Sequence, residues 1–150
     1  MDFNYLFTSL DGRINRAKYW LGLVIIVVIV VILQLISVAL FGMGFLGRLI
    51  NPIIGLVALY PIYAVAGKRF QDRNKPAMYA LIGVGLSLLY QVLALFGVVG
   101  NPVSQNFLDY VFWIALVAVG IWYLIELGIL KGTSGPNEYG ADPLGGAAAK

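Results

Sequence analysis

Four stretches of this sequence are too long and too apolar for water: roughly 20–41, 49–66, 77–99 and 110–130. A helix needs about 20 largely apolar residues, at 1.5 Å of rise each, to cross the hydrocarbon core of a bilayer. The runs are continuous, whereas the strands of a membrane barrel alternate apolar and polar residues. The expected fold is therefore an all-α membrane protein with four transmembrane helices. The chain has 150 residues, 61% of them hydrophobic and only 11% charged, so the spans consume most of it. One domain over residues 1–150 is expected, with no room for a separate soluble one.

The ends flank this bundle. Phe3, Leu6, Phe7 and Leu10 fall at helical spacing before Asp11-Gly12, which predicts a short N-terminal interfacial helix lying on the headgroups. Tyr19 and Trp20 are placed to anchor the first span at the same level. The apolar run that follows is too long for the core of a cleaved signal, so the first span should stay attached. Within the second span, Pro61 removes a backbone hydrogen bond and is expected to kink the helix. Residues 131–150 are dense in Gly and Pro and read as a cytoplasmic C-terminal tail of turns.

Charge sets the orientation. With the N-terminus in the cytoplasm, nine of the ten Lys and Arg residues, Lys150 among them, lie on that side, and Arg48 alone lies on the other. Cytoplasmic loops carry an excess of cations, so both termini and the loop "GKRFQDRNKP" at residues 67–76 are expected to be cytoplasmic.

The residue inventory excludes several chemistries. There is no Cys and no His. Disulfides, thiolate or imidazole metal sites, Cys nucleophiles and His-dependent triads are therefore absent. No paired carboxylates suited to acid–base work are evident. An enzyme is not expected, nor a cofactor, a metal or a nucleic-acid partner.

The polar residues that enter the spans are few. Gln34 and Gln91 each lie fourteen residues beyond the cytoplasmic start of their span, about 21 Å of helix, so they share a depth. Their amides are expected to satisfy each other in lipid. Ala80, Gly83, Ser87, Gln91 and Ala94 form a small-residue stripe of the kind that lets helices approach closely. Glu126 lies about four residues from the end of the fourth span, where it either snorkels or pairs with a cation. Arg69 and Asp72 are one helical turn apart. They are expected to join Glu126 in an inward-facing polar cluster, roofed by Arg13 and Asn137, with Asp142 nearby. Lys68, Arg73 and Lys75 are expected to be exposed.

Three stretches, "DGRINRAKYW", "GKRFQDRNKPAMYAL" and "GPNEYGADPL", occur in this order around the four spans. In this the chain resembles the DUF805 family of small bacterial inner-membrane proteins. The resemblance covers nearly the whole chain and implies a multi-pass inner-membrane protein without a characterised activity. The family commonly has a His before the Asp of the middle stretch, where this chain has Gln71, so no base or metal role of that His operates here. All three stretches converge on the cytoplasmic face, which makes Arg13, Arg69, Asp72, Glu126, Asn137 and Asp142 the residues of a candidate site. The function expected first is a non-enzymatic protein presenting a basic cytoplasmic face to anionic headgroups or to a membrane-protein partner, with homo-oligomerisation open. The alternative is a small-solute transporter or channel subunit, lined by Gln34, Gln91 and Glu126 and acting as an oligomer.

Overall fold

The computed structural model describes residues 2–101 and 103–145; Lys150 lies outside the described residues. The described residues are helical and contain no strands. The order is α1 (Phe3–Thr8), α2 (Arg16–Phe41), α3 (Phe45–Asp72), α4 (Ala80–Leu95) and α5 (Phe107–Tyr123). A 3₁₀ turn, Ala77–Tyr79, leads into α4, and a π-helical turn, Leu124–Ile129, continues α5. Four helices, Arg16–Phe41, Phe45–Asp72, Ala77–Leu95 and Phe107–Ile129, are long and apolar enough to cross a membrane.

Helix ends explain where these bounds depart from the apolar runs. The Asn15 side chain accepts from the Lys18 N–H and starts α2 four residues before the apolar run. In α3 the helix runs six residues into "GKRFQDRNKP", stopping only at a left-handed Asn74 (φ 56°). There the Lys75 N–H returns to the Phe70 carbonyl and the Asn74 N–H to that of Gln71, and Pro76 bars any continuation. The loop thus shrinks to Arg73–Pro76. By the same double bond, Gly97 (φ 70°) ends α4 at Leu95, short of the Val99 expected from hydropathy: the Val98 N–H meets the Leu93 carbonyl and the Gly97 N–H that of Ala94. At α5, Asn106 and Asp109 cap each other's backbone N–H groups.

The packing is asymmetric along the membrane normal. The α3 helix is central, packing against α1, α2 and α4. Along most of its length α5 packs on α4 alone, and only its π-helical turn reaches α2 and α3. The core therefore concentrates at the end carrying the termini, in Leu6, Ile14, Tyr19, Val65, Phe70 and Leu127, all buried. Phe70 sits within ring contact of Tyr79, Trp122 and Tyr123, which locks α3 to the start of α4 and the end of α5. The helix α1 does more than lie on headgroups. Leu6 and Ile14 are fully buried against the bundle, and burying one such side chain is worth about 1.5–3 kcal/mol.

Candidate functional site

Asp72 is the hub of the end that carries the termini. Its Oδ1 accepts from Arg13 Nε at 3.0 Å, and its Oδ2 accepts from Arg69 NH1 one helical turn back. Its backbone carbonyl accepts from the Thr133 N–H at 2.8 Å and the Thr133 hydroxyl at 2.9 Å. The last residue of α3 thereby joins the first two sequence stretches to the segment just before the third, and its partner Arg13 reaches the third itself. All three charged side chains are buried. Two guanidiniums against one carboxylate leave an excess positive charge, which carbonyl dipoles compensate. Arg13 also donates to the carbonyls of Gly135 (2.7 Å), Gly140 (3.1 Å) and Thr133 (2.7 Å). Arg69 donates to those of Leu127 (2.8 Å) and Leu130 (2.6 Å).

These carbonyls belong to a general problem. The last carbonyls of a helix have no partner in that helix, and one left bare in lipid costs several kcal/mol. At the end of α5 every such group named here is met by a side chain from another element. Beyond the two bonds from Arg69, Trp20 Nε1 donates to Gly128 O (3.3 Å), Arg16 to Ile129 O (2.9 Å) and Arg73 to Lys131 O (2.6 Å). Cations at a helix C-terminus also face the negative end of its dipole.

The same logic places Lys68, which was expected to be exposed and is instead fully buried. Its ammonium donates all three protons to the carbonyls ending α1: Tyr5 at 2.5 Å, Leu6 at 2.9 Å and Ser9 at 2.6 Å. Tyr60, eight residues back on the same helix face, donates to Thr8 O at 2.7 Å. Burial raises the Tyr5 phenol above its ordinary pKa, keeping it protonated to donate to Arg13 O.

Glu126 requires a correction. It does not join Arg69 and Asp72. Its Oε1 accepts from Arg73 Nε at 2.9 Å and Lys75 Nζ at 2.7 Å, so two cations expected to be exposed are half-buried and paired with it. The cause is geometric: the guanidinium of Arg69 is consumed by Asp72 and two carbonyls, while the tight turn at Asn74 swings Arg73 and Lys75 over the π-helical turn. Asn137 does roof the cluster, donating to Gln71 O and Thr133 Oγ1 at 2.9 and 2.8 Å. Asp142 folds the tail onto itself: the N–H groups of Leu144 and Gly135 bond its carboxylate and hold it below the ordinary aspartate range.

Thr133 and Gly132 were not singled out by sequence. A Cβ on Gly132 would lie 1.9 Å from Asp72 Oδ2, so only glycine lets the chain pass there. The nearest sequence signal was their position, just before the third stretch. Beside the hub is an open cleft of about 300 Å³ bordered by Asn15, Arg16, Lys131, Ser134 and Asp142. Among the described residues Arg16, Lys18 and Lys131 form no ion pair, and all three are exposed.

Gln34 and Gln91 lie at the opposite end. No hydrogen bond joins their amides, contrary to expectation. Gln91 instead lies over Gly55 of α3, where a Cβ would sit 2.0 Å from its Nε2. Because α2 and α4 flank α3 without packing on each other, the two amides border one cavity across it.

Among the described residues no group of three or more carboxylates is placed to hold a metal ion. The model of a family described as "Protein of unknown function (DUF805)" matches residues 7–141, from the end of α1 to the turn before Asp142. No curated protein and no solved structure matches the chain.

Proposed function

The chain belongs to the DUF805 family, and from its own geometry we propose that it is a non-enzymatic, multi-pass protein of the bacterial inner membrane, with both termini cytoplasmic, that binds anionic lipid headgroups at its cytoplasmic face. The observation that carries this reading is the cleft flanked by Arg16 and Lys131, two exposed cations that form no ion pair among the described residues, with Asp142 on its other border and one Arg16 nitrogen on the Ile129 carbonyl. Lys18, also exposed and unpaired, follows two residues after Arg16 on α2, outside the cleft lining. Each cation near an anionic surface contributes about 1 kcal/mol, so these three contribute about 3 kcal/mol, on the order of a hundredfold in affinity. The other cations described at this face, Arg13, Lys68, Arg69, Arg73 and Lys75, are engaged in holding the fold.

Two features favour binding over chemistry or conduction. Both carboxylate oxygens of Asp72 are engaged by guanidiniums, so the carboxylate at the hub is poorly placed to act as a base. Between the two ends, α2 and α3 contribute Ile26 and Ala58 to the apolar core. The orientation rests on the cation count, with Arg48 alone at the far end.

Two measurements test the reading. Since the chain has no native Cys, single Cys residues at Lys75 and Ser104 report the topology: position 104 should label from the periplasm in intact cells and position 75 should not. Labelling of position 75 under those conditions removes the orientation. Lipid co-purified in mild detergent should be enriched in anionic species, and the Arg16→Gln/Lys131→Gln double variant should lose that enrichment. Equal enrichment in both proteins removes the headgroup site.

A further inference from the structure

The end of the bundle away from the termini holds a cavity of about 370 Å³ between α2, α3, α4 and the turn after α4. It lies near the lower end of the size range of small-molecule sites. Its polar lining comes from Gln34, Arg48, Asn51, Tyr90, Gln91 and Asn101. Several of these groups lack partners. Among the described residues Arg48 forms no ion pair, and the Gln34 and Gln91 amides make no hydrogen bond. Asn51 Oδ1 is buried with nothing to accept from. Pro52 has no N–H to return to the carbonyl of Arg48, four residues earlier in α3. Gly55 supplies the space in which the Gln91 side chain lies. Of these groups Asn51 Oδ1 is buried and unpaired, which is costly unless a ligand donates to it, while Arg48 is exposed and the Gln34 and Gln91 amides are half-buried at the cavity wall.

We propose that this cavity binds a phosphate ester of a small polyol. Each part of the lining specifies one part of the ligand. Arg48 supplies the positive charge for the phosphate. Asn51 Oδ1 and the Arg48 carbonyl accept only, so they need hydroxyl donors beside that anion. The amides of Gln34 and Gln91 both donate and accept, and serve either. The volume holds a glycerophosphate unit but not a whole lipid. Since α2 and α4 do not pack on each other, a gap beside α3 lets acyl chains leave sideways into the bilayer. The ligand is thus either the headgroup of a phosphatidylglycerol or a free glycerol phosphate. The site is independent of the headgroup cleft at the other end.

The test uses the full chain purified in a neutral detergent, with thermal stabilisation and binding measured for two probes. One is sn-glycerol 3-phosphate and the other phosphatidylglycerol in mixed micelles, with phosphatidylcholine as the control. Stabilisation by the soluble probe assigns a free solute, and stabilisation by phosphatidylglycerol alone assigns a lipid; phosphatidylcholine should do neither. Arg48→Gln should weaken binding at least tenfold, as expected for loss of one charged hydrogen bond. Gln91→Leu, which leaves Arg48 in place, should weaken it too and serves if Arg48→Gln does not fold. The phosphatidylglycerol arm is run in the Arg16→Gln/Lys131→Gln background, which disables the headgroup cleft at the other end, so that the binding that remains belongs to this cavity. The proposal is overturned if neither probe stabilises the protein, or if the Arg48 and Gln91 variants bind as tightly as wild type.

Discussion

Replacing Asp72 by Asn is the sharpest perturbation of the hub, because it removes charge while keeping shape. In the native protein Arg13 and Arg69 each place a guanidinium N–H on this carboxylate, and all three side chains are buried. A charged hydrogen bond contributes about 1.5–3 kcal/mol, so two of them amount to about 3–6 kcal/mol. Removing one member of a buried ion pair costs about 3–5 kcal/mol, because the remaining charge is left uncompensated. Here two charges are left, so a loss of about 4 kcal/mol is expected, on the order of 10 °C in thermal midpoint for a chain of this length. The comparison is Lys75→Ala. Its half-exposed ammonium meets Glu126 at 2.7 Å, but such pairs are screened and contribute about 0.2–1 kcal/mol. Thermal unfolding of both variants in the same detergent, followed by circular dichroism, makes the test. Midpoints for Asp72→Asn and Lys75→Ala that agree within error would show that the buried triad carries no stability.

Three further outcomes follow from the same contacts. Lys68→Met leaves the carbonyls of Tyr5, Leu6 and Ser9 without their donor, so α1 should detach; a Cys at Leu6, which is 1% exposed, should react slowly in the parent and rapidly with Lys68→Met. Gly132→Ala should cost at least about 1–3 kcal/mol in thermal stability, because its Cβ would collide with Asp72 Oδ2, whereas Gly85→Ala, in open space on α4, should be neutral or gain up to about 1 kcal/mol. Asp142 has a depressed pKa in the folded tail, so its contribution is complete above the ordinary aspartate value of 3.8 and is lost as pH falls through the lower folded value. Proteolysis by an acid-active protease should therefore cut residues 134–144 more readily as pH drops below that range, and Asp142→Ala should give the same susceptibility at neutral pH.

The spans were legible because lipid imposes one rule on about 20 residues at a time, which composition alone reveals. Helix ends were not, because they depend on single residues: Asn74 and Gly97 stop α3 and α4 by left-handed backbone geometry, six residues later and four residues earlier than hydropathy indicates. The Arg69–Asp72 pair was legible from spacing, and Arg13 and Asn137 from the convergence of three stretches on one face. The placement of Lys68 and Glu126 was not. Sequence reasoning sought carboxylates for cations, whereas Lys68 and much of Arg13 and Arg69 are spent on backbone carbonyls, acceptors that every residue carries and no composition count shows.

That use of cations explains why charge crowds into residues 67–76 of so apolar a chain. A topology signal alone requires only that positive charge stay on one side, and any order of Lys and Arg would serve. The observed order is position-specific. Lys68, with three tetrahedral donors, ends α1; Arg69, with a planar fork, spans Asp72 and the carbonyls of Leu127 and Leu130; Arg73 reaches Glu126 and Lys131 O. Exchanging Lys68 and Arg69 keeps the charge count and hence the orientation. It should nevertheless unlatch both α1 and the end of α5, since a compact ammonium cannot bridge the two carbonyls and Asp72, nor a planar fork fill the tripod. An exchanged protein that inserts normally and keeps the parent's thermal midpoint would reduce the stretch to a topology signal.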